Sequence, residues 1–418
     1  MDNCGVIFDC RRHINSGVGR VSQWLATHSK QLVEASDCHY LVREGTMSEY
    51  CLNESECIRT SIIPFSSEEF HILPSFLSET NTILYVNPQT TWSPLHKVKS
   101  LNVVHDLWAL ENPSWLPSEQ DLLNRFSLSN LNYFTDLIDW FLSADPREFL
   151  TELAYERFAE AMQSKNLILQ GAWAQYAAIA RLSSSIVAIS EPIKDKLEAL
   201  FKSDCTIHVI PNIPKTFTSR LKGKPRHLLT LSKLEQRKNL FSLLDAYLIY
   251  SENCTDLPLP LVIAGDPGYS SEARNISDAV NNLVKKGHNI TILHSVSDSK
   301  LSELLHDAAC LVFPSYYEGF GLPSLEAMLA NVPVVATSTG IMTSILGNHA
   351  FLADPYDPLD IANSIIRSLI EGASPSRLEL ARIAVLDYME QIDAVSLWKE
   401  AITSALANNR MTSTETLL

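Results

Sequence analysis

A chain of 418 residues, 46% hydrophobic and 19% charged, is long enough for two domains and apolar enough to bury a core in each. Its formal net charge of −15 argues against nucleic-acid binding, which needs a basic stripe to neutralise phosphates, and weakens any polybasic membrane reading. The eight cysteines include no Cys-x-x-Cys pair, so buried free thiols are expected rather than a zinc or redox centre.

The chain opens with MDNCGVIFDCRR, which lacks a signal-peptide layout and makes the cytoplasm the default expectation. Val6–Asp9 reads as a short buried strand. A glycine loop, Ser16-Gly17-Val18-Gly19-Arg20, follows, and a helical pattern starts at Val21. Strand, glycine loop and helix in that order open a nucleotide-type α/β half. Further strands are expected at His39–Val42, Ile83–Val86, Leu101–Val104, Ile186–Ile189 and His208–Ile210. Between them lies an aromatic, mostly helical insert near residues 107–185, longer than a simple crossover needs.

Residues 1–212 are therefore read as one Rossmann-like domain and 213–226 as a polar linker. Residues 227–390 form a second such domain, and 391–418 a terminal helix with a polar tail that can pack back on the first. In the second domain, strands are expected at His227–Leu231, Leu261–Ala264, Ile290–Leu293, Cys310–Phe313, Pro333–Ala336 and Phe351–Ala353. Helices fit between them at Leu240–Ser251, Glu272–Lys286 and Ser299–Ala308. The fold class is α/β, with two doubly wound parallel sheets presenting their carboxyl edges to a central cleft.

Four constellations sit where such edges would fall. Gly17 and Gly19 occupy the first loop, and any tight turn can use such a pair. His105-Asp106-Leu107 ends an apolar strand, where His105 either contacts a ligand or closes the strand as a hydrogen-bonded residue. Ser232 to Asn239 carries Lys233 and Lys238 beside a helix start, either gripping a diphosphate or lying as solvated surface charges. The fourth is Tyr316 to Gly340, in which Glu318 and Glu326 flank Gly319, Gly321 and Pro323. Pro323 suits the first helical position. A helix is expected from Leu322 to about Leu329, with Glu326 in its first turn and the amides of Phe320, Gly321 and Leu322 at its N-terminus. The two carboxylates suit two vicinal diols, although Glu326 could merely complement the helix dipole. No two aspartates lie two apart, and neither a Walker loop, an HExxH nor a G-x-S-x-G is present.

In this order, over about residues 6–370, the motifs resemble those of the retaining glycosyltransferases of family four, group 1 enzymes with the GT-B fold and a paired-glutamate E-x7-E motif. Glu318-Gly319-Phe320-Gly321-Leu322-Pro323 continuing to Glu326 is similar to that signature, and Ser232–Asn239 to the family's phosphate segment. Asp9-Cys10-Arg11 with Ser16–Arg20, and His105-Asp106-Leu107, resemble its N-terminal elements. The resemblance implies that the second domain binds a nucleotide-diphosphate sugar of GDP-mannose or UDP-glucose type. A glycan, lipid-linked or small-molecule acceptor then presents a hydroxyl from the first domain. It implies His105, Asp106 and Glu318 as catalytic residues. Gly17, Gly19, Lys233, Lys238, Phe320, Gly321, Leu322 and Glu326 are implied as donor-binding. Neither a cofactor nor a metal is implied, and peripheral membrane contact and oligomeric state stay open.

The departures are local. Ser232 and Lys233 replace the usual glycine and arginine, and Ser344 stands where a glutamate is common. Rival readings are a nucleotide-sugar hydrolase or epimerase of the same fold and a non-catalytic binding subunit. The apolar face of 131–142 is core, a dimer face, or an acceptor or membrane element.

Overall fold

The computed structural model describes residues 5–12, 17–34, 38–95, 98–116, 121, 128–164, 166–217, 225–254, 257–265, 271–338 and 341–408. The chain divides into two compact units, one of residues 1–211 with 393–418, the other Asn212–Ile392.

The first unit is built on strands β1 (Val6–Asp9), β2 (Cys38–Val42), β3 (Cys57–Arg59), β4 (Leu84–Asn87), β5 (Lys99–Val104), β6 (Ser185–Ala188) and β7 (Ile207–Val209). They pair in parallel in the order β3-β2-β1-β4-β5-β6-β7. Helices cover such a sheet on both faces, which is why β1 reads as an apolar run and is buried throughout. Strand β3 is absent from the sequence reading because Cys-Ile-Arg is short, half-exposed and without periodicity. The order reverses between β1 and β4, so the crevice at their carboxyl ends is a topological switch point.

One expectation is corrected here, and one set of alternatives is decided. The first helix runs Gly17–Leu32, so residues 17–20 are its opening turn rather than a loop, and Ser16 lies outside the described residues. First-turn residues donate no intrahelical bond, and glycine's low helix propensity costs less there than in a helix interior. In the insert, the helix Leu128–Ser143 turns its apolar side inward. Tyr133 and Leu137 are fully buried, and Phe141 meets Phe149 and Phe158 at centroid distances of 5.1 and 5.4 Å. That face is core. The last helix, Ala394–Ala407, belongs to this unit as well. Trp398 stacks on Trp24 at 6.3 Å, and Asn408 Nδ2 donates to the Ser184 carbonyl at 3.0 Å.

The second unit has strands β8 (His227–Leu231), β9 (Leu261–Ala264), β10 (Ile290–Leu293), β11 (Ala308–Phe313), β12 (Val334–Thr337) and β13 (Phe351–Ala353). All pair in parallel, in the order β10-β9-β8-β11-β12-β13. Four of the six match the expected bounds because their apolar runs end at polar or glycine punctuation. Here the switch point lies between β8 and β11. Among the described residues no helix is long and apolar enough to cross a membrane.

Candidate functional site

The loops leaving β8 and β11 meet at the second switch point. After β8, Gln236–Lys238 forms one 3-10 turn, and Asn239 takes a left-handed conformation, φ 57°. The Asn239 amide donates to the carbonyls of Pro314 (3.0 Å) and Pro355 (2.5 Å), fastening this loop to those after β11 and β13. The Tyr316 amide closes the same joint by donating to the Arg237 carbonyl at 2.9 Å. Behind the loop, a Cβ on Gly265 would lie 2.1 Å from the Ser232 carbonyl oxygen, so only glycine lets these backbones approach so closely.

This scaffold brings Lys238 and Glu318 together. Lys238 Nζ donates to Glu318 Oε1 at 2.5 Å, with both side chains only 9% exposed. Arg237 Nη1 stands 3.7 Å from Glu318 Oε2, while its Nε donates to Glu235 Oε2 at 3.0 Å. Burial would raise the Glu318 carboxyl, but Lys238 and Arg237 outweigh it and hold the group below the usual range. Burial and the neighbouring Arg237 lower Lys238 against the pull of Glu318. Two cations thus share one carboxylate in a dry setting. Lys233 is exposed. The sequence reading did not single out Arg237; its place beside the β8/β11 crevice is the signal that would have.

The helix after β11 spans Leu322–Leu329 as expected, with Pro323 in its first turn. Gly321 is its N-cap at φ 85°, and a Cβ there would lie 2.1 Å from Met342 Sδ. Both observations demand glycine. The helix starts at Leu322, so Glu326 is its fifth residue and falls in the second turn, a correction to the first-turn expectation. Glu326 is fully buried, and its Oε1 accepts from the Lys215 amide at 3.2 Å. The side chains of Phe320 and Leu322 are buried too.

In the first unit, His105 follows β5 at the carboxyl edge. Its Nε2 donates to the Pro88 carbonyl at 2.7 Å, which leaves Nδ1 as an acceptor. Burial lowers its pKa, so the ring is neutral at pH 7. The Asp106 carbonyl accepts from Tyr176 Oη at 2.8 Å. Gly17 and Gly19 lie in the first helical turn rather than in a separate loop.

Beneath this edge is a buried polar network. Arg11 Nη2 donates to Asp9 Oδ2 (2.7 Å), Glu69 Oε1 (2.7 Å) and Tyr85 Oη (2.9 Å), and Tyr85 donates to Asp9 Oδ2 at 2.5 Å. Burial would lower Arg11, but Asp9, Tyr85 and Glu69 outweigh it and raise the group. The Asp-x-Arg element is a strut under the sheet's edge.

Two parallel doubly wound units with these strand orders define the GT-B architecture. Among solved structures the chain is similar to sucrose-phosphate synthase from Thermosynechococcus elongatus, at TM-score 0.63 and 14% identity over 96% of this chain and 97% of that one. It is likewise similar to Anabaena HepE, crystallised with UDP and glucose, at TM-score 0.61 and 14% identity over 96% and 99%.

Residues 213–384, within the second unit, match the family model of glycosyl transferases group 1. It is 36% identical over 146 residues to O-antigen chain mannosyltransferase B of Escherichia coli, covering 34% of this chain and 36% of the relative. It is 30% identical over 174 residues to human alpha-1,3/1,6-mannosyltransferase ALG2, covering 38% and 40%. The chain thus spans well under half the length of these relatives.

Proposed function

We propose that the protein is a retaining glycosyltransferase that moves a hexose from a nucleotide-diphosphate sugar of GDP-mannose or UDP-glucose type to an acceptor hydroxyl. The setting fits surface polysaccharide or glycoconjugate synthesis, in the cytoplasm or against the inner face of a membrane if the acceptor is lipid-linked. The observation that carries the reading is Lys238, Arg237 and Glu318 converging at the switch point of the second sheet. In an open α/β sheet this crevice is where a ligand binds.

In this proposal the donor's diphosphate takes over the Lys238 ammonium and the Arg237 guanidinium. Both then stabilise charge developing on the leaving group without reorganisation. Glu318, released from Lys238, accepts hydrogen bonds from the sugar's hydroxyls. The first-turn amides after Gly321 face the anionic end, and Lys233 adds long-range attraction. A ribose diol reaching Glu326 competes with the Lys215 amide, so donor binding entails a shift of residues 212–217. The first unit presents the acceptor, with neutral His105 Nδ1 available to accept a hydrogen bond from a hydroxyl of the donor sugar. The bond between C1 of the sugar and the diphosphate oxygen breaks as C1 bonds the acceptor oxygen on the same face. The acceptor proton passes to the departing phosphate oxygen. Protein cations serve the leaving group in this scheme, which calls on no metal.

The test is calorimetric titration of GDP-mannose, UDP-glucose and other sugar nucleotides into the wild type and Lys238→Ala. Binding by the wild type, weakened in the variant, is expected. No binding of any sugar nucleotide would sink the reading, and equal binding by the variant would refute the phosphate role of Lys238. Transfer itself is read as nucleoside diphosphate released only with acceptor, and retention by the anomeric proton of the product.

A further inference from the structure

The first sheet has a switch point of its own, between β1 and β4, and it is occupied in a way the proposed donor chemistry leaves unused. Arg12 leaves β1 and Gln89 leaves β4, and Arg12 Nε donates to Gln89 Oε1 at 2.9 Å. Gln89 is fixed for this purpose. Its Nε2 donates to Asp9 Oδ2 at 2.7 Å and its amide to Asn87 Oδ1 at 3.0 Å, so only its oxygen faces the arginine.

The guanidinium lies over the Phe65 ring at 5.2 Å. Phe65 is held at φ 63°, a left-handed conformation that is an outlier for a bulky residue, and the Glu69 carboxylate holds it there by accepting from the Phe65 amide at 2.6 Å. The buried strut of Asp9, Arg11 and Glu69 therefore aims both the ring and the amide at Arg12.

Glu69 and Asp9 favour the Arg12 charge only through space, since both carboxylates are bonded to Arg11. Among the described residues no carboxylate lies within ion-pair distance of Arg12, and Nη1 and Nη2 have no hydrogen-bond acceptor. A second guanidinium, Arg43, follows β2 at the same edge. Leu41 of β2 stands opposite Asp9 of β1, so Arg43 leaves the strand next to the one that Arg12 leaves, and its charge, like that of Arg11, acts against Arg12. Two half-buried like charges, one pinned on an aromatic face with neither η nitrogen bonded among the described residues, match the bidentate geometry of a phosphate.

We propose that Arg12 and Arg43 form an oxyanion subsite in the first unit that binds a phosphate group carried by the acceptor. Arg12 grips two phosphate oxygens through Nη1 and Nη2, Arg43 neutralises the rest, and Phe65 and Gln89 set the guanidinium plane. The assignment to the acceptor rests on the donor reading above. The presence of an oxyanion site does not.

Inorganic pyrophosphate is the probe, titrated by calorimetry into the wild type, Arg12→Gln, Arg43→Gln and Lys238→Ala, with GDP and UDP titrated in parallel. The site predicts pyrophosphate binding that survives in Lys238→Ala and weakens about tenfold or more in each arginine variant, the loss of one charge-assisted contact. GDP and UDP binding should be unchanged by Arg12→Gln and Arg43→Gln. Pyrophosphate binding that is equal in the wild type and both arginine variants overturns the subsite. Nucleoside diphosphate binding that falls in the arginine variants as in Lys238→Ala overturns the acceptor assignment, because the phosphate is then the donor's. Circular dichroism of the unliganded variants confirms that both are folded. Failure of every sugar nucleotide to bind would remove the donor reading while leaving the pyrophosphate result standing.

Discussion

Replacing Glu318 with glutamine should make the protein less stable and bind nucleoside diphosphates more tightly, two effects with one cause. In the unliganded protein Glu318 is the counterion of Lys238 at 2.5 Å and of Arg237 at 3.7 Å, with Lys238 and Glu318 each 9% exposed. Glu318→Gln keeps the shape but leaves Lys238 without its carboxylate while Arg237 retains Glu235, and breaking a buried pair costs about 3–5 kcal/mol. A diphosphate entering the wild type competes with Glu318 for Lys238, a charge-assisted bond of about 1.5–3 kcal/mol. Removing the competitor returns much of that to the ligand, or about tenfold to a hundredfold in dissociation constant. GDP and UDP without a sugar are the right probes, because the sugar is proposed to use Glu318 itself. Calorimetry on the wild type and Glu318→Gln should show tighter GDP or UDP binding and, with acceptor, loss of transfer. Unchanged or weaker binding of both nucleotides would refute the idea that Glu318 holds the phosphate cations in reserve.

Gly321→Ala should cost about 1–2 kcal/mol from its φ of 85° alone, and more from the clash with Met342. Met342→Ala in the same chain should recover the steric part only, read by chemical denaturation. Arg11→Met should cost at least about 3 kcal/mol, because it leaves Asp9 and Glu69 buried without their cation; a denaturation midpoint near wild type would show the strut is dispensable. Burial holds His105, His208 and His227 below the usual histidine pKa. The unfolded chain then takes up protons first, so their contribution to stability is complete above about pH 6.5 and is lost as pH falls through the lowered values. The denaturation midpoint should drop between pH 7 and 5, and His105→Gln should flatten that slope.

The second unit was legible in the sequence almost to the residue, and the reason is physical. A parallel sheet covered on both faces favours largely apolar strands, such as Cys310–Phe313, and a polar residue, glycine or proline marks where each run stops. Gly321 and Pro323 mark a helix start because the left-handed N-cap demands glycine and the first turn favours proline. Misreadings arose where local chemistry is neutral about the outcome. Gly17 and Gly19 suit a loop and a first helical turn equally. Cys57–Arg59 pairs because β2 offers an open edge, which no property of Cys-Ile-Arg reveals. Tyr133 and Phe141 look alike as core or interface until their ring partners, Phe65 and Phe70 for the first and Phe149 and Phe158 for the second, are in place.

The two arginines beyond the sequence reading, Arg237 and Arg12, share a cause. Each stands beside a residue that a motif had already claimed, and only strand order reveals what each faces. Strand order also brings out a chemical difference between the two crevices. At the second, the cation is held by a carboxylate, Glu318, so a bare phosphate must displace a charge and offer nothing in return. A ligand that also brings hydroxyls for the displaced carboxylate recovers that loss, which favours a sugar-bearing diphosphate over a free one. At the first crevice the partner of Arg12 is the neutral amide of Gln89, which leaves the charge intact and asks nothing of the ligand beyond its phosphate oxygens. On the proposed assignments, the donor-side crevice discriminates by exchange of partners and the Arg12 crevice by charge. That difference predicts that pyrophosphate competes with a phosphorylated acceptor at lower concentrations than with the sugar nucleotide, a ranking that inhibition kinetics against each substrate would read directly.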